Sequence, residues 1–431
     1  MRDGPTLASA SGHFLVHYAN PTSAQSAAHV GEVLEAALAR ETGEWGWPAP
    51  VDDGDGKVDV YLFPQVGIEG AANPDPGPRP ASGWMQFGAD ASDLVMAHEL
   101  LHVLQYAIGV DEPPVYVTEG TAHWAGNRFA GDEGQLVSAP LWANANYLGT
   151  PLDCPATSPC HDNAGPATAG WAFFEYLAER FGPQIVADSY TRGVAAALAA
   201  RGAALGSVFT DYAIATASGT WKLAPLSMYY PRPSGSLFAG HLAETVTLDH
   251  LAQAAVYGRP PCVRCSKALR LKVSWPAGLT GVAPAWVRHD FGLVQRLKVS
   301  GNSATGVVPL DGTPAPAMLV LANPSATLDG ARFEISAKFV RGPPPLVRIV
   351  SASITRRGPA RFLELQTLTS TGARLKVKLG SLRQTIFVGA GTSSGELFVP
   401  RGMHGTKTLT LTPLDNRGRK GKTVRARVKL G

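Results

Sequence analysis

From about residue 243 to its end, the chain alternates apolar and polar residues with a period of two. Segments 269–274 (LRLKVS), 297–299, 317–321 (AMLVL) and 333–338 (FEISAK) read as strands, with Gly, Pro and Asn turns between them. The prolines of 342–345 mark a linker. The same alternation then resumes at 347–351, 362–365, 373–378, 384–388, 407–411 and 424–428. Side chains that alternate across a strand bury one face, and many short strands of this kind need a second sheet to cover that face. Two all-β sandwich domains in series, Ig-like or jelly-roll-like, are therefore expected at 243–341 and 342–431.

The first 242 residues read differently. A strand at 13–18 is followed by a helix that Thr22 or Ser23 would cap and that runs to about Thr42. A buried strand follows at 57–63, then a Gly/Pro-rich loop at 67–80 and a half-exposed strand at 82–87. Helical patterns occupy about 166–181, 184–201 and 203–217. A small sheet with several helices makes this part an α+β domain. His13 and His17 point the same way on the first strand and read as strand-face residues rather than a metal pair.

The most specific chemistry lies at 96–105, MAHELLHVLQ, which holds the pattern H-E-x-x-H. On a helix, His98 and His102 leave one face about one turn apart, the placement two nitrogen ligands need to hold one zinc ion. Glu99, beside the first ligand, is placed to act as general base in metal-assisted hydrolysis. The flanks carry good helix formers; Ser92 or Asp93 would cap the start and Gly109 would end the helix. Leu94, Leu101 and Leu104 supply its apolar face.

A catalytic zinc site usually has a third protein ligand. Gln105 and Ile108 occupy the positions where a metzincin has Gly and His, which excludes that class. The alternative is a Glu from a returning helix. Glu119, in VTEGTAHWA at 117–125, fits this role: Thr118 would cap the helix and place Glu119 in its first turn. Gly109, Pro113 and Pro114 break the chain between the two helices. His123 stands one turn after Glu119; contact with the site and a locally satisfied histidine are equally good readings. Tyr106, Tyr116, Tyr147 and His161 are all candidates to donate a hydrogen bond to a transition state, and the sequence does not choose among them.

With these residues in place the chain resembles the gluzincins, zinc metallopeptidases with H-E-x-x-H and a downstream Glu. More narrowly it is similar to secreted bacterial metalloproteases of the myxobacterial type. The matching segments are 12–18 (GHFLVHY), 46–50, 59–62, the helix carrying His98 and His102, 119–124 (EGTAHW) and 171–182, so the likeness covers roughly the first 250 residues. It implies a zincin-like fold for 1–242, with His98, His102 and Glu119 as zinc ligands and Glu99 as base. In gluzincins the strand before the metal helix is the edge along which an extended peptide docks, which assigns that part to 83–87. Two departures stand out. The spacing to Glu119 is shorter than in thermolysin-like enzymes, and His123 replaces the acid often found one turn later. No G-A-M-E-N-like segment is present, which argues for endopeptidase action.

Composition narrows the remaining classes. A hydrophobic fraction of 45% with 17% charged residues describes a globular chain. The net charge of +4 is spread along the sequence and does not imply nucleic acid. A basic cluster from Arg417 to Lys429 is expected to be the solvated face of a terminal hairpin rather than a patch for an anionic surface. No apolar run is long enough for a transmembrane helix. The first residues lack a signal-peptide core, so a leader is absent from this sequence or the protein stays inside. The cysteines favour the first option. Cys154 with Cys160, and Cys262 with Cys265, suit two small-loop disulfides in an oxidising compartment, with a four-thiolate zinc ribbon as the rival.

The expected protein is thus a secreted, monomeric zinc endopeptidase acting on peptides or proteins. Its β domains would serve cell-surface or polysaccharide contact, or stiffness. A non-peptide zinc hydrolase and an inactive cell-surface binding or adhesin module are the alternatives; Glu99 argues against the second, because a purely structural zinc has no need of that carboxylate.

Overall fold

The computed structural model describes residues 5–19, 24–63, 69–110, 113–131, 151–152, 170–218, 235–238, 240–258, 267–288, 293–310, 317–342, 345–369, 373–388, 391–415 and 418–430. It is an α+β, multi-domain chain in which sandwich-like sheets predominate. Among the described residues, no helix is long and apolar enough to cross a membrane. All four cysteines, with Tyr147 and His161, fall outside the described residues, as does most of the irregular segment 137–165.

In the first part, β1 (Thr6–Ala8), β2 (Phe14–Tyr18), β3 (Val58–Phe63), β4 (Gly70–Pro74) and β5 (Gly83–Gly88) form one sheet in the order β1-β2-β3-β5-β4. β2, β3 and β5 run parallel, and β1 and β4 pair antiparallel at the two edges. Alternation sets the faces: Val58, Val60 and Leu62 of β3 are buried, while Asp59 and Tyr61 point the other way. The helices are α1 (Ala24–Gly43), α2 (Asp93–Tyr106), α3 (Val115–Ala130), α4 (Trp171–Phe181), α5 (Gln184–Arg192), α6 (Val194–Ala199) and α7 (Leu205–Ser218). They share one buried cluster with the sheet, built around Phe14, Trp45, Phe87, Trp124, Trp171 and Phe173.

Two expectations change here. The loop expected at 67–80 contains a strand, β4, whose Gly and Pro content disguised it. β4 pairs along the outer side of β5, so 83–87 is an interior strand and β4 is the sheet edge. The single helix expected at 184–201 is two, because Gly193 adopts φ of 80°, a left-handed backbone angle that interrupts the helix.

The next strands are β6 (Gly235–Leu237), β7 (Ala243–Leu248), β8 (Gln253–Gly258), β9 (Lys267–Ser274), β10 (Ala285–Arg288), β11 (Leu293–Arg296), β12 (Lys298–Ser300), β13 (Ser303–Leu310), β14 (Ala317–Ala322) and β15 (Ala331–Arg341). They form two five-stranded sheets, β11-β10-β14-β8-β6 and β12-β13-β9-β15-β7, around an apolar layer that includes Leu271, Trp286, Leu319 and Phe333. β6 precedes residue 243 and runs parallel to β8 in the first of these sheets. β14 is buried at all six positions. Ala317, Leu319 and Leu321 face the layer between the sheets, whereas Met318, Val320 and Ala322 pack with α7 in the core of the first part. A strand covered on both faces needs an unbroken apolar run. Asp211 of α7 reinforces this junction by pairing with Arg296 of β11 and, at 2.9 Å, with Arg180 of α4.

The C-terminal strands are β16 (Val347–Arg357), β17 (Ala360–Thr369), β18 (Ala373–Leu379), β19 (Leu382–Val388), β20 (Gly391–Phe398), β21 (Gly405–Leu414) and β22 (Val424–Leu430). The sheets β16-β17-β20 and β19-β18-β21-β22 enclose Leu363, Leu365, Leu375, Val377, Leu409 and Leu411.

Candidate metal centre

The centre is built where α2 meets α3. Ser92 caps α2 as expected, its hydroxyl accepting from the Val95 amide at 3.4 Å, and Asp93 stands in the first turn, where the helix dipole favours an anion. The expected stop at Gly109 moves forward: α2 ends at Tyr106 with Ala107 as its C-cap. Gly109 is instead packed on Pro80, whose Cδ lies 3.2 Å from where a Cβ would stand.

α3 begins earlier than the sequence suggests. Pro114 is its N-cap, and the Thr118 amide already donates to the Pro114 carbonyl at 3.2 Å. The helix starts there without a side-chain cap, and the residue before it, Pro113, is held out of the helical region by Pro114. Thr118 therefore does not cap the helix, and Glu119 lies beyond its first turn. The two helices touch closely through Gly126. At Gly126 a Cβ would stand 2.5 Å from the Leu94 carbonyl oxygen and 3.3 Å from His98 Cβ of α2, while at Gly120 it would stand 2.9 Å from Phe174 of α4, on the other side of α3. Gly126 lets α3 approach α2 near enough for Glu119 to reach the histidines.

His98 Nε2 and His102 Nε2 lie 3.1 Å apart. Glu119 presents one oxygen 3.5 Å from His98 Nε2 and the other 3.6 Å from His102 Nε2. Tetrahedral donors at about 2.0–2.1 Å from a zinc ion lie about 3.4 Å from one another. Two imidazole nitrogens and a carboxylate at these separations fit that ion in both chemistry and spacing.

A buried amide orients His102. Gln105 is fully buried, and its Nε2 donates to the Thr118 carbonyl at 3.0 Å and to Thr121 Oγ1 at 2.9 Å. Thr121 Oγ1 in turn donates to the Thr118 carbonyl at 3.3 Å. A carbonyl only accepts, so the Gln105 amide orientation is fixed and its Oε1 is left as an acceptor 2.8 Å from His102 Nδ1. His102 Nδ1 must then carry a proton, so that in the neutral ring the Nε2 lone pair is the one free to bind a metal. The sequence around Gln105 carries no sign of this role, because the role depends on a carbonyl from a different helix.

The electrostatics follow from burial and charge. Burial by itself depresses the His102 pKa, but hydrogen bonding and charge from Glu119, with smaller effects from Glu99 and Gln105, hold it above its ordinary value. Burial pushes the Glu119 carboxyl up, and the two histidines outweigh this and hold it far below the usual carboxylate range. His123 lies edge-to-face with His98 at 5.5 Å between ring centroids, so it contacts the site. Burial, aided by His98, lowers its pKa to about 4, which leaves it neutral at pH 7.

Glu99 is buried beside the sheet edge. A Cβ on Gly70 of β4 would stand 2.6 Å from Val95 Cγ1 and 3.0 Å from Glu99 Cγ, so β4 runs directly against the site face of α2. Among the candidate donors, Tyr106 places its hydroxyl on the Ala72 carbonyl of β4 at 3.1 Å, and Tyr116 is buried and stacked on Phe174. His13 and His17 each have a carboxylate of their own, Glu35 and Asp59, both at 2.7 Å, in keeping with strand-face roles. An exposed loop also gathers Asp52, Asp53 and Asp55, but Asp52 and Asp55 accept from backbone amides of the same turn.

A further anchor was not foreseen. Glu175 of α4 accepts from Trp124 Nε1 at 2.8 Å and from Arg128 at 2.7 Å, tying α3 to the helix behind it.

No family model matches the chain, and no curated protein matches it. Solved structures with partial likeness include the Endo-D glycoside hydrolase domain of Streptococcus pneumoniae R6, at 12% identity over 43% of this chain and 31% of that one, with a TM-score of 0.16. The beta-glucuronidase of Parabacteroides merdae aligns at 11% identity over 37% of this chain and 25% of that one, with a TM-score of 0.17. The beta-glucuronidase of Ruminococcus gnavus aligns at 11% over 41% and 34%, also at 0.17. The chain thus spans about a third or less of the length of each, and TM-scores this low define no common fold.

Proposed function

We propose that this chain is a secreted zinc-dependent endopeptidase of the gluzincin type. The observation that carries the reading is the convergence of His98, His102 and Glu119 within 3.1 to 3.6 Å of one another, with Glu99 on the same turn of α2. Zinc bound there would supply Lewis acidity toward water and a scissile carbonyl. His98 and His102 offer their Nε2 lone pairs, Gln105 keeps the His102 ring in the tautomer that does so, and Glu119 adds the charge that favours a dication. Glu99 takes a proton from the attacking water and delivers it to the leaving amine. β4 is a sheet edge lying along the site, and an extended peptide would dock against it by strand addition. A mixed sheet with an antiparallel edge strand beside the metal helix supports a zincin-like assignment for this part.

The test is digestion of an unfolded protein mixture by zinc-loaded wild type and Glu99→Gln, with new termini mapped by mass spectrometry. The reading expects internal cleavages with wild type alone while the variant keeps its zinc. Equal cleavage by both would refute Glu99 as the base, and no cleavage by wild type would refute peptidase action on unfolded chains.

A further inference from the structure

The outer face of the sheet β19-β18-β21-β22 is a basic trough. On β18, exposed Lys376 and Lys378 alternate with buried Leu375, Val377 and Leu379. On β22, exposed Arg425, Arg427 and Lys429 alternate with inward residues in the same way. Between these columns runs β21, whose Thr408, Thr410 and Thr412 carry short hydroxyl side chains. The register aligns Arg383, Lys378, Thr410 and Arg425 in one row across all four strands. The two long-chain columns stand about 10 Å apart, and charges along each recur about every 7 Å, from the strand spacing and rise. A cleft of about 360 Å³ opens on the β18 side of this face, bordered by Lys376 and Lys378 of β18, Arg383 and Thr385 of β19, and Thr410 and Thr412 of β21; the column on β22 stands beyond it.

Nothing on these strands neutralises the charge. From 371 to 431 the sequence has two acids, Glu396 and Asp415. Glu396 lies on β20 in the opposite sheet and pairs with Arg357, and Asp415 is buried against Arg419. Among the described residues, Lys376, Lys378, Arg383, Arg425, Arg427 and Lys429 form no ion pair. Lys378 and Arg383 stand directly opposite each other across neighbouring strands, an arrangement that costs stability. A solvated face gains nothing from keeping two like-charged columns around a hydroxyl floor. A linear polyanion lying between them relieves the repulsion and meets hydrogen-bonding hydroxyls beneath.

We propose that this trough is a binding site for a linear anionic polysaccharide, carrying carboxylate or sulfate groups, laid along β21. A single nucleic-acid strand is a poorer fit, because such sites stack bases on aromatic side chains and the four strands offer one exposed ring, Phe387, at the end of β19. A bilayer is a poorer fit too: it is flat, takes up apolar side chains and has no use for a recessed threonine floor.

The experiment is titration of the full-length protein with heparin, polygalacturonate, neutral dextran, oligothymidylate and phosphatidylserine vesicles. Wild type is compared with Lys376→Gln/Lys378→Gln/Arg427→Gln. A control of equal charge change, Arg270→Gln/Lys272→Gln/Lys298→Gln, alters exposed residues of the preceding sandwich. Circular dichroism melts verify that each variant folds. The proposal expects at least one anionic polysaccharide to bind, dextran not to bind, and the trough variant to lose about tenfold or more in affinity with a shallower salt dependence, while the control stays near wild type. Absence of binding to both anionic polysaccharides, equal weakening by the two triple variants, or tighter binding to oligothymidylate or vesicles would overturn it.

Discussion

Gln105 Oε1 lies 2.8 Å from His102 Nδ1, and the same Gln105 amide is held by the Thr118 carbonyl at 3.0 Å. The His102 ring is thereby oriented by α3, the helix that carries Glu119. Replacing Gln105 with Leu removes the acceptor for His102 and leaves the ring free to turn. Metal affinity should fall by about 10–100-fold, measured by competition with a chromogenic chelator, while the helical circular-dichroism signal of the folded chain is retained.

The approach of α3 to α2 depends on Gly126. A methyl group there would meet the Leu94 carbonyl oxygen at 2.5 Å, a backbone atom that cannot swing aside. Gly126→Ala should therefore lower stability by about 1–3 kcal/mol and weaken zinc binding as well, since the shift carries Glu119 away from His98. Urea denaturation and metal titration of the same sample would read both effects.

Glu175 joins Trp124 and Arg128 with a single buried oxygen. Glu175→Ala would leave the indole N–H buried without a partner and Arg128 without its counter-charge. A loss of about 2–4 kcal/mol is expected, seen as a lower denaturation midpoint.

Glu41, at the C-terminal end of α1, is fully buried, and among the described residues neither carboxylate oxygen has a hydrogen-bond partner. Burial pushes its pKa well above the ordinary 4.5. The native state then binds more protons than the unfolded state between 4.5 and that raised value, so stability is full below 4.5 and falls as pH rises through the window. Glu41→Leu should remove this dependence. It should raise the thermal midpoint more at pH 8 than at pH 4, with a gain of about 1–3 kcal/mol at the higher pH.

What could be read from the chain follows how local each cause is. The α2 helix, its Ser92 cap and the pairing of His98 with His102 were legible because spacing on one helix fixes them. Glu119 was legible through the Pro113–Pro114 break, although its depth in α3 was misjudged because proline replaced the expected threonine cap. β4 was hidden by its glycine and proline, and with it the true sheet edge. The roles of Gln105 and Glu175 were not legible, since each depends on a partner from another helix. The basic residues of β22 were visible as a cluster. Their meeting with Lys376 and Lys378 across β21 depends on strand order, which alternation alone does not specify.

The most direct measurement of the central claim is the zinc dissociation constant of wild type beside Glu119→Ala and His102→Ala, determined by chelator competition on the metal-free protein. The account predicts one zinc ion per chain, held at least about a hundredfold more tightly by wild type than by either variant. A wild type that binds no zinc, or variants that bind it as tightly, would contradict the assignment of His98, His102 and Glu119 as one metal centre.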